Sequence, residues 1–288
     1  MAGFAERVAA LPRLGVGIST EFGAGRTGLD VMRLHARHPE LVSFLEVGCD
    51  LARGADVDAR RWVQAGLPTT YHFLDVNLEE PEDLDPDWVR DATNLARELG
   101  AAWMCGDAGL WHVGPRDRGH GTLMPPVLEE GSARALARSV RALREASGLE
   151  VLPENPPAHA WLGRMRLGDY FARVADEADC GLLLDVAHLA IHQRARGRPA
   201  LEGLEGFPLE RVVELHVAGG RVFESGGRTF VDDDHGLTVL PETWELFEAA
   251  VEGAANLRAV VVECERNRER DVVPLFERVC ARVEGAAR

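Results

Sequence analysis

The sequence contains no lysine: all 32 of its basic side chains are arginines. Without a lysine amine, the chain cannot form the Schiff base of a lysine-dependent aldolase or of a pyridoxal-phosphate enzyme. It also cannot complete a Walker-type phosphate loop, which needs its lysine. These three catalytic classes are therefore excluded before any residue is given a role.

Cysteine is scarce and scattered. The five cysteines are odd in number, widely spaced and form no C-x-x-C pair. This pattern argues against a disulfide framework and against a zinc site made of thiolates. Any metal site in this chain is expected to use oxygen and imidazole nitrogen.

Long apolar runs and positive charge are also missing. No apolar run approaches the ~18 residues that a membrane span needs, and the N-terminal segment lacks the features of a signal peptide. We therefore expect a cytoplasmic protein without a membrane partner. The formal net charge of −15 and the sequence pI near 5.1 disfavour nucleic acid as a partner.

Short apolar runs alternate with amphipathic segments along the whole chain. The predicted strands span residues 14–19, 41–47, 68–74, 101–105, 150–154, 181–185, 211–217 and 257–263. Strands that are buried on both faces and alternate with helices form a parallel sheet, and eight such units favour a closed (β/α)₈ TIM barrel. Because such a barrel takes roughly 250 residues as one domain, we expect a single domain over residues 1–288.

Seven of the eight predicted strands end in, or lie close to, an acidic residue or a histidine. These residues are Glu46, His72, Asp107, Glu154, Asp185, His216 and Glu263. Parallel barrel strands direct their carboxyl ends to one common mouth, where barrel enzymes keep their active sites. Ligand sets of oxygen and nitrogen without thiolate suit iron, manganese or zinc. The sequence therefore predicts a metal centre at the mouth, with more candidate ligands than one ion needs.

Two local clusters add further candidates. Asp185 and His188 lie three residues apart, and Asp233 and His235 lie two apart in a glycine-flanked segment. Each cluster also has a simpler interpretation, in which Asp185 caps a helix and Asp233 belongs to a solvated acidic turn.

Strand residues have competing interpretations as well. His216 lies within an apolar strand, where a histidine is more often a hydrogen-bonded core residue than a ligand. Glu154 and Asn155 end a strand and precede two prolines that stiffen the chain. A carboxylate at that place costs stability unless it is paired or coordinated.

Two connections are longer than a barrel needs, namely residues 106–126 and 218–236. Long loops inside a compact domain are usually functional. Both segments follow strands, so we expect both to be loops at the mouth.

The order of motifs resembles that of the multinuclear non-haem iron-dependent oxidative enzymes, a family that includes the iron oxidase of methanobactin biosynthesis. The similarity runs from about Gly15 to Glu263, and its motifs are HFLDVNL, LPENPP, LLLDVAHLAIH, ELHVAGG, DDHG with PETWELFE, and VVVE. The resemblance implies a barrel that binds two or three iron ions at its mouth. It also implies use of O₂ to modify a ribosomally made peptide, at cysteine or at a C-terminal residue.

The resemblance also implies which residues bind the metal. Carried onto this sequence, the ligands are His72, Glu154, Asp185, His188, His216, Asp233, His235 and Glu263, with Asn155 beside them. We expect Asp185, His216 and Glu263 to be essential for catalysis.

One segment departs from the family pattern. Relatives commonly carry a Ser-Glu-His stretch after the fourth strand, whose histidine is a ligand, whereas this chain has Cys105, Gly106 and Asp107 there. We expect Asp107 to bind metal in its place and His112 to reach back towards the centre. Glu46 and Asp50 are then expected to support the ligands or to contact substrate.

Family members usually act with a separate protein that recognises the leader peptide, so such a partner is expected here. Arg116 and Arg118, in the first long connection, are expected to neutralise a carboxylate of the peptide. Two alternatives remain open: a zinc- or manganese-dependent barrel hydrolase or isomerase, and a metal-binding scaffold without catalysis. The missing lysine disfavours the lysine-dependent isomerases, and the acidic charge disfavours nucleases.

Overall fold

The computed structural model describes residues 2–20, 29–114, 116 and 123–286. Within these residues the strands are β1 (Gly15–Ser19), β2 (Phe44–Cys49), β3 (Thr69–Phe73), β4 (Met104–Asp107), β5 (Val127–Leu128), β6 (Val151–Glu154), β7 (Leu162–Gly163), β8 (Leu182–Asp185), β9 (Val212–Ser225), β10 (Arg228–Gly236) and β11 (Ala259–Glu263). The α-helices are α1 (Phe4–Ala9), α2 (Val31–Arg37), α3 (Val57–Gln64), α4 (Pro86–Leu99), α5 (Glu130–Ser147), α6 (Leu167–Ala178), α7 (Val186–Ala195), α8 (Pro241–Gly253) and α9 (Glu269–Ala286). Short 3₁₀ turns lie at Pro81–Asp83, Ala200–Leu204 and Leu209–Arg211.

Eight parallel strands form a closed barrel in the order β1, β2, β3, β4, β6, β8, β9 and β11, and β11 returns to β1. Closure is completed where Asp185 of β8 pairs with His216 of β9. Almost every residue in the barrel part of these strands is buried, because helices cover the outside and side chains fill the inside. The predicted (β/α)₈ barrel is therefore confirmed, with its eight strands close to the predicted positions.

Helix α4 shows how the sequence sets the outer layer. The side chain of Asp85 accepts a hydrogen bond from the backbone of Trp88, Pro86 occupies the first turn, and Gly100 ends the helix at φ 66°. These are the preferred residues for a helix start and a helix stop. The buried residues Trp88 and Ala92 lie four apart, so one face of the helix packs on the barrel.

Helix α1 lies across the end of the barrel opposite the mouth. Phe4 and Val8 pack with barrel residues such as Val213 and Val261. The backbone nitrogen of Phe4 donates to Asp179, just before β8, and Arg258, just before β11, donates to the carbonyl of Val8. The amino ends of the strands are thus covered.

The segment at residues 218–236 is not the loop that the sequence suggested. Strand β9 continues beyond the barrel to Ser225, turns at Gly226 and Gly227, and returns as the antiparallel strand β10. Both glycines have positive φ, 58° and 74°, which is the requirement of a two-residue type I′ turn. The prediction of a loop was wrong because the Gly226–Gly227 pair closes a tight turn, and the segment is a β-hairpin above the mouth.

None of the helices in the described ranges combines the length and the apolar character that a membrane span requires.

Candidate metal centre

The carboxyl ends of the barrel strands surround a cavity of about 610 Å³. Strand register places Asp107 beside Glu154 and Asp185 beside His216. Seven of the nine predicted ligands line the cavity, namely His72, Asp107, Glu154, His188, Asp233, His235 and Glu263. The remaining two, Asp185 and His216, lie fully buried at its floor. The structure therefore brings all nine residues together.

Glu154 is the central carboxylate of the group. Its Oε2 lies 2.8 Å from Nε2 of His72, and its Oε1 lies 3.4 Å from Nδ1 of His188 and 3.6 Å from Nδ1 of His216. Three imidazoles from three different strand ends thus approach one carboxylate that is 1% exposed. Such a residue can bridge ions.

Two histidines are oriented by partners outside the ligand group. His188 donates Nδ1–H to the carbonyl of Asn155 at 2.9 Å, which leaves Nε2 facing Asp185 and Asp233 at 3.5 and 3.2 Å. His235 has Nδ1 2.8 Å from Glu265, and its Nε2 faces Asp233 at 3.6 Å. Hydrogen bonds of this kind fix the tautomer and the ring plane of a metal-binding histidine.

His216 is oriented in the opposite sense. Its Nε2 lies 3.1 Å from Oε2 of Glu46, so Nδ1 faces Glu263 at 3.3 Å and Glu154. The ring is 0% exposed and carries carboxylates on both sides. Glu46 therefore orients this histidine from below and presents Nδ1 to the centre.

Many of the buried polar atoms in the group have no hydrogen-bond partner among the described residues. They include Asp107 Oδ1, Glu154 Oε1, Asp185 Oδ2, His216 Nδ1, Asp233 Oδ1 and Glu263 Oε2. Burying such atoms unpaired costs free energy, whereas coordination to a cation satisfies them. Among the described residues, four sets place their ligand atoms within 4.8 Å of one another: Glu46, His216 and Glu263; His72, Asp107 and Glu154; Glu154, Asp185 and His188; and, beneath these, Glu46, Cys105 and Glu214. The donor atoms therefore fit more than one metal ion.

The electrostatics of the group agree with this fit. Burial opposes charge on His72, but the hydrogen bond to Glu154 and the charge of Glu46 raise its pKa to about 10. Burial and the charge of Glu154 raise the pKa of Asp107 to about 7. Burial acts against the charge of Glu263, yet His235 and His216 hold its pKa well below the usual range. In the metal-free centre, protons on these side chains therefore balance negative charge that bound cations would balance in the metal-loaded centre.

Asp185 and Asn155 combine structural and site roles. Oδ1 of Asp185 accepts from the backbone nitrogen of His188 at 2.7 Å, so the residue caps α7 while its Oδ2 faces the centre. The Asn155 side chain donates to the Asp185 carbonyl at 2.8 Å and accepts from its amide at 2.9 Å. The helix-cap interpretation and the metal interpretation of Asp185 are thus compatible.

Some predicted contacts lie elsewhere. His112 has Nε2 3.0 Å from Asp83 and does not line the cavity in the described chain. Arg116 pairs with Asp83 at 2.9 Å and covers Trp88, so it also points away from the cavity. Asp50 lies at the rim as a cavity-lining residue, and Arg118 lies outside the described residues.

Sequence reasoning missed three residues near the centre: Glu265, Glu214 and Trp103. Glu265 contacts His235 and lies two residues after Glu263, but beyond the end of β11, so strand alternation does not indicate it. Beneath the centre, Glu214 accepts from the Trp103 indole at 2.6 Å, and burial raises its pKa to about 8. Glu214 is two residues from His216 within β9, so strand alternation places it on the inner face.

Comparison with solved structures shows the fold. A xylose isomerase domain containing protein from Salmonella typhimurium superposes with a TM-score of 0.62 at 14% identity, covering 95% of this chain and 98% of that one. The IolI protein, solved with a zinc atom, gives a TM-score of 0.55 at 12% identity, covering 95% and 96%. At these identities the similarity supports the barrel alone.

Sequence comparison shows the family. UPF0276 proteins from Rhizorhabdus wittichii and Caulobacter vibrioides are 28% and 25% identical over 243 and 240 residues, covering 83% and 82% of this chain and 84% and 82% of those proteins. The family model described as RiPP precursor modification enzyme MbnB/TglH/ChrH matches residues 23–287. RiPPs are ribosomally synthesised and post-translationally modified peptides. The chain therefore belongs to the MbnB/TglH/ChrH family of RiPP precursor modification enzymes.

Proposed function

We propose that this protein modifies a precursor peptide oxidatively, using a multinuclear non-haem iron centre and O₂. The observation that carries the proposal is the convergence of nine carboxylate and imidazole side chains, the predicted ligands, on one buried centre. A hydrolytic or structural zinc site of three or four protein ligands needs fewer donors. Membership of a peptide-modifying family supplies the substrate class.

The ligand geometry suggests how the ions would be shared. Asp185, His188, Asp233 and His235 form one set through facing atoms. His216 and Glu263 form the core of a second set.

A third set combines His72 and Asp107, and Glu154 adjoins all three sets. Two sets draw on histidine and carboxylate from different strands, and the third relies on Asp107 where the family pattern has histidine. When bound, iron would supply the one-electron chemistry that activates dioxygen.

The chain itself orients the predicted ligands. Glu46, Glu265 and the Asn155 carbonyl fix the imidazoles, so little rearrangement is needed when substrate arrives. The cavity volume of about 610 Å³ lies within the ~300–1,000 Å³ of typical ligand sites and suits a short peptide segment. A separate protein that recognises the leader peptide is part of the proposal.

Metal analysis and Mössbauer spectroscopy of anaerobically purified protein test the proposal. We expect iron, and we expect O₂ consumption with modification of a precursor peptide encoded beside the gene. Replacement of Asp185 by Asn or His216 by Gln is expected to abolish iron retention and turnover. The surface variant Asp87→Asn is the matched control, because Asp87 is exposed and pairs only with Arg90 in the described chain.

The opposite result would favour the alternative metal enzymes. If zinc or manganese saturates the centre and iron confers no O₂-dependent modification, the oxidative proposal is wrong. Unchanged iron content in the Asp185 and His216 variants would remove both residues from the ligand set.

A further inference from the structure

The rim of the cavity is divided into an apolar arc and a cationic arc. The apolar arc consists of Leu74, Trp111, Leu123, Pro157, Ile191 and Val231, which follow β3, β4, β6, β8 and β9. The cationic arc consists of Arg53, which follows β2, and Arg266, which follows β11. Because β11, β1 and β2 are neighbours in the barrel, the two arginines lie on one side, and the apolar residues of the described rim follow the other strands.

The two arginines differ in how well they are already paired. Nε of Arg53 lies 3.2 Å from Asp50, and its side chain is 72% exposed. Arg266 is 44% exposed, and its nearest carboxylate in the described chain is Glu265, at 3.8 Å. That same Glu265 oxygen lies 2.8 Å from His235, which is the closer contact. Arg266 is therefore the lining guanidinium with more unused hydrogen-bonding capacity.

The remaining carboxylates of the rim, within the part of the chain that the structure describes, are already engaged. Asp232 lies 2.6 Å from Arg221, and Asp50 pairs with Arg53. The carboxylates of the floor belong to the ligand sets. An anionic group entering the cavity would therefore meet its least occupied partner at Arg266.

We propose that Arg266 binds a carboxylate of the substrate peptide, while the apolar arc receives a neighbouring apolar side chain. This inference rests on the proposed function and adds the orientation of the peptide and the chemistry of the residues that flank the reacting position. The guanidinium presents parallel N–H donors that match a carboxylate, and this geometry fixes direction as well as charge. A peptide with a carboxylate at one end and an apolar side chain at the other would then enter in one orientation.

The probes are N-acetyl-leucine and N-acetyl-leucinamide, which share an apolar side chain and differ only in the carboxylate. Their affinities for the protein as isolated are measured by ligand-observed NMR titration, with metal content determined for each variant. We expect the wild type to prefer the acid by about three- to tenfold, since Arg266 is partly exposed and its charge is partly screened. Arg266→Gln is expected to lose this preference.

Two variants serve as controls. Arg270 lies four residues after Arg266, is 75% exposed and does not line the cavity. Arg270→Gln is therefore expected to keep the preference for the acid. Leu123→Ala, in the apolar arc, is expected to weaken both probes by a similar factor. Any contact of the probe carboxylate with bound metal is common to all variants, so the comparison isolates Arg266.

The assignment is overturned if the wild type binds both probes equally or neither, or if Arg266→Gln keeps the preference at unchanged metal content. An equal loss in Arg270→Gln would overturn it as well, because general charge would then explain the effect. This experiment measures binding alone. It can therefore fail while iron-dependent activity stands, and iron-dependent activity can fail while the preference for the acid stands.

Discussion

The metal-free protein is expected to lose stability as the pH rises from 6.5 to 10, with His72 as a main contributor. Its pKa is raised from 6.5 to about 10 in the folded state, because the contacts with Glu154 and Glu46 outweigh burial. A raised folded pKa means that the stabilisation is complete below pH 6.5 and disappears as the pH rises through the folded value. In this window the folded protein holds a proton that the unfolded chain has released.

The size of the effect follows from the same shift. A change of pKa from 6.5 to about 10 corresponds to about 5 kcal/mol. Both partners are nearly fully buried, so solvent screening reduces this value little. Because domains are stable by only about 5–15 kcal/mol, a loss of this order would be a large fraction of the total stability and should be measurable. Asp107 and Glu214, whose pKa values are raised to about 7 and about 8, act in the same direction.

Urea denaturation of chelator-treated protein at several pH values measures the effect. His72→Asn should flatten part of the decline, whereas His38→Asn should leave it unchanged, because His38 is partly exposed and lies outside the centre. Metal-loaded protein should show the reverse trend, since deprotonated ligands bind cations more tightly as the pH rises. Metal-free stability that is constant or increases over this window would refute the reasoning.

Three further predictions concern residues around the centre. Glu46→Gln should weaken metal binding by about ten- to hundredfold, measured by chelator competition, because it removes the carboxylate that orients His216. Gly219→Ala should lower the free energy of unfolding by about 1–3 kcal/mol, measured in urea, and should reduce metal retention. Its added Cβ would collide with the carbonyl of Gly236 and displace the hairpin. Trp103→Phe should cost about 1–3 kcal/mol of stability in the same assay, because the buried carboxyl beneath the centre loses its donor.

Matched controls separate these effects from general damage. Glu245→Gln alters an exposed carboxylate on α8, and Gly131→Ala adds a Cβ that meets nothing within 4 Å. Equal metal affinity in the Glu46 and Glu245 variants would contradict the orienting role of Glu46. A Gly219 variant as stable as the Gly131 variant would show that the hairpin tolerates the added atom.

The barrel was predictable because its signals are local and repeated. Each barrel strand begins in a short apolar run, and some helices have marked ends, such as α4 with Asp85 at its start and Gly100 at its stop. The convergence of polar residues at the strand ends then followed from the geometry of a parallel barrel. Prediction of the strands therefore also predicted where the candidate ligands lie.

The contacts that the sequence did not predict form between segments that are distant in the chain, and a sequence pattern does not reveal them. The sequence cannot show that Arg116 pairs with Asp83, because these residues meet only after their two loops pack together. The same holds for His112, which faces the same aspartate. The hairpin was different, because its Gly226–Gly227 turn was visible in the sequence, and greater weight on turn chemistry would have identified it.

The position of helix α1 affects how metal ions and peptide would reach the proposed centre. Because α1 covers the amino ends of the barrel strands, metal ions and peptide would both reach the centre through the mouth at the carboxyl ends. On the proposed function, a bound peptide would block this opening, so the metal ions would have to bind before the substrate and would exchange slowly while it is bound.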